Sequence, residues 1–151
     1  MTEKPTCSCG QNEPKRLLFP CAGQSNTGQI TNLAAIQLTE EGYGKIVCTS
    51  LLATGSEGLV KSARDAEEVV ALDGCPMSCA AKIAEGQGVE VGQKIIVTEL
   101  GIAKGPSKSY TTDDIEKVVA ACWAGNGRKN EPVKKGSDNK KSTCGCGGSC
   151  K

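Results

Sequence analysis

The chain has 151 residues, a net charge of +1, ten cysteines and no histidine. That length suits about one domain, and the missing imidazole excludes a Ser-His-Asp triad, a Cys-His dyad and any histidine-ligated metal. No run reaches the roughly 20 apolar residues that cross a bilayer, and residues 1–14 lack the apolar middle of a signal peptide. The expectation is therefore a cytoplasmic protein without membrane contact, whose reduced thiols serve as metal ligands or redox groups rather than as disulfides.

The first segment, Met1 to Pro14, is polar, carries Pro5, Pro14, Cys7 and Cys9, and reads as a flexible arm. A compact α/β domain is expected over 15–125. It opens with "KRLLFPC", an apolar run of strand length that ends at Cys21. A small polar loop follows, and from about Thr27 to Glu41 the spacing of Ile30, Leu33, Ala34 and Leu38 predicts a helix with one apolar face. After the glycine stop in "EGYGK", "KIVCTSLL" reads as a second strand ending near Cys48.

"SEGLVKSARDA" predicts a short helix capped by Ser56, and "EEVVALDG" a third strand. Val69 to Leu72 are apolar without alternation, as a parallel strand covered on both faces requires. In "CPMSCAAKIAEGQG", Pro76 suits the first helical position and Cys75 the cap before it, which would put Cys79 on the same helical face as Cys75. "GQKIIVTELG" predicts a fourth strand through Ile95 to Val97. "TTDDIEKVVAACWAG" predicts a last helix, with a threonine cap, acidic residues at its positive end and a stripe of Ile115, Val118, Val119 and Cys122.

Strand and helix thus alternate four times, which predicts a small Rossmann-like open sheet of about four parallel strands with helices on both faces. Residues 126–151 form a Gly/Cys-rich tail with seven Lys or Arg against two Asp or Glu, whereas Lys15 to Gly125 has ten against thirteen. Composition alone favours a solvated extension over a nucleic-acid contact.

Ligands of an open parallel sheet gather beyond the carboxyl ends of its strands, where the strand order reverses. Cys21 follows strand one, Cys48 ends strand two, Cys75 follows strand three, and Cys79 lies four residues on. These four are the expected metal site, since tetrahedral zinc takes four thiolates with sulfur about 2.3 Å away. Asp73, beside Cys75, either orients that site from behind or accepts amide bonds from the turn.

Two catalytic readings of "PCAGQSNTGQ" fail on missing residues. A strand ending in Cys before a glycine loop and a helix is the order of low-molecular-weight tyrosine phosphatases and related arsenate reductases, but those place an Arg six residues after the nucleophile. Here that position is Thr27. Gly23 and Gly28 have Walker-loop spacing, but Gln29 and Ile30 replace the lysine and the hydroxyl that phosphates and Mg²⁺ need. The loop of Gly23, Ser25, Asn26, Thr27 and Gly28 remains a candidate to bind a small anion through its amides. Outside the domain, Cys7 and Cys9 with Cys144, Cys146 and Cys150 are candidates for a second metal or thiol site.

"PCAGQSNTGQ", Cys48, "ALDGCPMSCA" and "VTELG" together resemble the DGC domain family of zinc-binding proteins, over about Leu17 to Lys104. The resemblance implies a cytosolic prokaryotic protein with four chelating cysteines, carried over onto Cys21, Cys48, Cys75 and Cys79. It supplies no reaction. Glu99 departs from the Thr-Asp-Leu-Gly usual at that point of the family, away from the ligands.

Residues and resemblance together predict zinc, held for a structural, carrier or scaffold purpose, with the balance against an enzyme. The alternative is a redox protein with an iron-sulfur cluster or thiol-disulfide chemistry on the same cysteines. The expected partners are the metal ion and a protein that receives metal or electrons.

Overall fold

A computed structural model describes residues 15–129. Four strands, β1 (Arg16–Pro20), β2 (Lys45–Ile46), β3 (Glu68–Asp73) and β4 (Gln93–Ile96), form one all-parallel sheet in the order β2-β1-β3-β4. β1 lies between β2 and β3, so the order reverses there, the arrangement of a doubly wound fold. The expected small α/β architecture is what the chain adopts.

The sheet is buried on both faces because its inner strands are apolar at successive positions. On one face Leu18, Val70, Leu72 and Ile95 pack against α1 (Asn26–Glu40) and α5 (Thr112–Trp123), with Ile30, Leu38 and Val118 fully buried. On the other, Phe19, Val69 and Ala71 meet α2 (Thr49–Ala53), α3 (Glu57–Arg64) and α4 (Cys79–Gly86), whose alanines Ala80, Ala81 and Ala84 permit close approach. No helix among the described residues is long and apolar enough to cross a membrane.

Three local expectations change. The apolar run at "KIVCTSLL" yields only a two-residue β2; Cys48 then caps α2, its Sγ accepting from the Leu51 amide at 3.4 Å. α4 does not start at Pro76. A turn carries residues 75–78, Ser78 takes a left-handed φ of 51°, and Cys79 is the first helical residue, so Cys75 and Cys79 share no helical face. β4 stops at Ile96, and Val97–Leu100 tighten into a 3₁₀ turn closed by Gly101 at φ 83°.

α5 begins as its sequence predicts. The Thr111 side chain accepts from the Asp114 amide, and the Asp114 carboxylate accepts from the Thr111 amide, a reciprocal capping box. Packing continues past Gly125, because the Lys94 amide donates to the Gly127 carbonyl and the Lys129 amide to that of Gly92, pinning Asn126–Lys129 beside β4.

Candidate functional site

Parallel strands end together, so the residues that follow β1, β2 and β3 share one edge of the sheet. Cys21 follows Pro20, Cys48 lies two residues beyond Ile46, and Cys75 lies two beyond Asp73. Cys21 and Cys75 flank the reversal of strand order and are half-buried; Cys48 and Cys79 are exposed. Among the described residues no group of three or more Cys, Asp or Glu side chains lies close enough to share a metal ion. The four expected sulfurs therefore share an edge and not a centre.

What builds this edge is backbone packed on backbone. A β-carbon on Gly74 would sit 2.8 Å from the Gly28 nitrogen and 2.9 Å from the Thr27 carbonyl carbon; one on Gly28 would sit 2.5 Å from the Gly23 oxygen. Only glycine permits that approach. It draws the turn after β3 onto the start of α1, and there the Gly74 amide donates to Cys21 Sγ at 3.3 Å. Thr31 supports the same corner: its hydroxyl accepts from the Ala22 amide at 3.2 Å and stands 3.7 Å from Cys21 Sγ.

Asp73 is fully buried, and its carboxylate accepts from the Ala80 amide at 2.8 Å and the Ala81 amide at 3.2 Å. It thus satisfies two amides of the first turn of α4, the helix that starts with Cys79. Burial raises its carboxyl above the ordinary range, and the two amide bonds oppose that rise. The Asp-Gly-Cys triplet therefore divides its labour: Asp73 anchors α4, Gly74 lets the backbones meet, and Cys75 faces the edge.

Asn26 belongs to the loop considered for anion binding, yet its side chain is spent on the protein itself. It is 3% exposed. Its Nδ2 donates to the Ala103 and Ser109 carbonyls, each at 2.9 Å, and its Oδ1 accepts from the Thr27 amide at 2.8 Å and the Gly105 amide at 2.6 Å. The amides of Asn26, Thr27 and Gly28 already reach the Gly105 carbonyl, Asn26 Oδ1 and Ser25 Oγ.

The clamp on residues 103–109 has a consequence that periodicity and motif could not show. Lys104, between two residues held by Asn26, places its Nζ 3.6 Å from Cys75 Sγ. It brings a cation to the cysteine edge, and its loop has neither helical nor strand pattern to announce it. Cys122, expected in the core, lies fully buried in α5, its thiol pushed up to about 12 by burial. Cys7, Cys9, Cys144, Cys146 and Cys150 lie outside the described residues.

A family model of the DGC domain matches residues 17–122, which takes in the Asp73-Gly74-Cys75 triplet, the cysteines at the sheet edge and the Asn26 clamp. The chain belongs to the DGC domain family. Its DGC domain runs beyond Lys104, where the legible motifs end, and through most of α5. The chain is also 26% identical over 107 residues to the anaerobic and virulence modulator AnvM of Pseudomonas aeruginosa, an alignment covering 71% of this chain and 82% of that protein. No solved structure matches it.

Proposed function

We propose that this DGC domain binds one thiophilic metal ion, zinc, through Cys21, Cys48, Cys75 and Cys79, and holds it in exchangeable form for a protein partner in the cytoplasm. The observation that carries this reading is the placement of Cys21 and Cys75 on either side of the strand-order reversal, with Cys48 and Cys79 beside them on the same edge.

Three features support it. Two of the sulfurs already accept backbone amides, Cys21 from Gly74 and Cys48 from Leu51, the kind of outer contact that orients a metal-bound thiolate. Four thiolates on a divalent ion leave two surplus negative charges, and Lys104 beside Cys75 offsets one of them. The two non-glycine residues with left-handed backbone among those described, Ala22 at φ 48° and Ser78 at φ 51°, adjoin Cys21 and Cys79. Such conformations cost about 1 kcal/mol or more each, and they concentrate where function over-determines the backbone.

The donors fit a soft metal by chemistry: sulfur only, in a chain without imidazole. Since no three of them share a centre in this arrangement, binding would draw the exposed Cys48 and Cys79 inward. Exposed ligands at the starts of α2 and α4 suit uptake and release better than a sealed structural site.

The test is anaerobic elemental analysis of the full chain beside Cys21→Ser and Cys79→Ser variants. Near-stoichiometric zinc in the parent, lost in both variants while the fold persists, supports the reading. Full zinc occupancy in both variants would remove it, and a brown, dithionite-bleached preparation would replace it with an iron-sulfur cluster on the same residues.

A further inference from the structure

Asn26 holds the backbone on both sides of Lys104. Its Nδ2 donates to the Ala103 carbonyl at 2.9 Å, its Oδ1 accepts from the Gly105 amide at 2.6 Å, and its own amide donates to the Gly105 carbonyl at 3.1 Å. Ile102, two residues before Lys104, is buried in the core on the α1 and α5 face of the sheet. An exposed lysine thus stands on backbone fixed on either side, and its Nζ donates to Cys75 Sγ at 3.6 Å. An ammonium has three N–H groups. One faces the sulfur, and among the described residues no carboxylate pairs with Lys104. The others remain for a group arriving from solvent.

Lys82 stands beside the next cysteine in the same way. It is exposed on α4, three residues after Cys79, the spacing of neighbouring side chains on a helix, and among the described residues it too has no carboxylate partner. The rest of the domain is charged the other way, with ten Lys or Arg against thirteen Asp or Glu from Lys15 to Gly125. Many of those acids lie at the far end of the sheet: Glu40 and Glu41 where α1 ends, Asp65, Glu67 and Glu68 leading into β3, and Glu90 before β4. At the cysteine edge Asp73 is buried against the α4 amides and Asp114 belongs to the α5 cap, which leaves Glu99 and Asp113 facing Lys82, Lys104 and Lys108. A domain with surplus negative charge therefore offers cations to whatever meets Cys75 and Cys79.

We propose that Lys104, positioned by Asn26, and Lys82 form an anion contact at the cysteine edge, and that the protein which takes metal from Cys75 and Cys79 meets them with an acidic face. The inference rests on the metal reading proposed above and supplies the charge of the partner that reading requires. The two ammonium groups pair with the partner's carboxylates, which speeds its encounter with the edge and fixes its orientation while ligands exchange.

The experiment alkylates the reduced, metal-free full chain with anionic iodoacetate and with neutral iodoacetamide, and reads each cysteine by fragment-ion mass spectrometry. Both reagents take the same thiolate, so the ratio of their rates at one sulfur cancels its proton affinity and exposure and keeps the effect of nearby charge. In Lys104→Gln that ratio at Cys75 should fall about threefold, the effect of one unit charge a few ångströms away in water. Lys104→Arg should preserve it, high salt should flatten it, and Lys82→Gln should lower the ratio at Cys79. Asn26→Ala should act as Lys104→Gln does, with no further fall in the double variant, because Asn26 works through Lys104. A second arm loads the chain with zinc and times its transfer to an anionic aminopolycarboxylate chelator and to a neutral polypyridyl one; Lys104→Gln should slow the first by a similar factor and leave the second unchanged. An unchanged ratio at Cys75 in Lys104→Gln, or equal slowing with both chelators, would overturn the anion contact. A parent that takes up no zinc overturns the metal reading instead, so the two failures are told apart.

Discussion

The Gly74 amide donates to Cys21 Sγ at 3.3 Å, so the turn after β3 is bonded directly to the residue that follows β1. That contact exists because Gly74 has no side chain. A β-carbon there would stand 2.8 Å from the Gly28 nitrogen, and backbone at the head of α1 cannot swing aside as a long side chain would. Gly74→Ala should therefore cost about 2 kcal/mol, in the range of overpacked cores. Thermal unfolding would measure it, and alkylation of Cys21 in the native state should quicken. An unchanged melting temperature with unchanged Cys21 reactivity would show that the two turns are not in contact.

Asn26 is the corresponding support on the other side. Asn26→Ala removes two donors and two acceptor contacts from a site that is 3% exposed, leaving the Ala103 and Ser109 carbonyls and the Gly105 amide without their partner. A loss of about 3 kcal/mol is expected from such orphaned groups. Urea unfolding gives the magnitude, and hydrogen exchange at Gly105 locates it. A cost under about 1 kcal/mol, with Gly105 still protected, would mean that the loop carrying Lys104 holds itself in place.

Cys122 sets a limit on alkaline stability. Burial raises its thiol from an ordinary 9.0 to about 12. A folded value above the unfolded one means that the folded state holds its proton more tightly. The contribution is complete below about 9 and is lost as pH rises from there through about 12. Tyr43 is raised in the same direction, chiefly by burial, so two groups share the alkaline decline. Cys122→Ala should flatten the dependence of the urea midpoint on pH across that window without abolishing it. An identical slope in parent and variant would exclude Cys122 as a contributor.

The last described residues belong to the domain energetically. A chain ending at Gly125 loses Arg128, which contacts Glu68, Tyr43 and Gln93, whereas a chain ending at Lys129 keeps it. Glu68 is largely buried and Arg128 a third exposed, so a cost of about 2 kcal/mol is expected for the shorter chain once solvent screening is allowed for. The longer one should match the parent within about 0.5 kcal/mol. Both comparisons are made by denaturation with a chelator present, which removes any contribution from bound metal. Equal stability of the two truncated chains would place the domain end at Gly125 after all.

Much of the architecture was legible because it rests on local signals. Val69 to Leu72 form a continuous apolar run and become β3, buried on both faces. The threonine cap and acidic first turn expected for α5 are present as the capping box of Thr111 and Asp114. The misread elements are those where local pattern is ambiguous. "KIVCTSLL" has the composition of a strand, but β2 is an edge strand bonded on one side to β1, and the threonine and leucines after Cys48 gain more by turning into α2, where Leu52 is fully buried. Pro76 suits a helix start, yet Asp73 reaches past it to the Ala80 and Ala81 amides, and the helix begins where those amides are satisfied.

The amino-acid sequence by itself determined the alternation of strands and helices, the family, and the placing of Cys21, Cys48 and Cys75 just after successive strands. Periodicity, caps and strand-end position are all properties of neighbours along the chain. Only the tertiary structure decided that Gly74 packs backbone on backbone against Gly28, that Asn26 delivers Lys104 to Cys75, and that Glu68 joins Arg16 to Arg128. Each of these relations joins residues far apart in sequence across a sheet whose strand order is not its chain order, and no local pattern records which distant residues the packing of a doubly wound fold will set side by side.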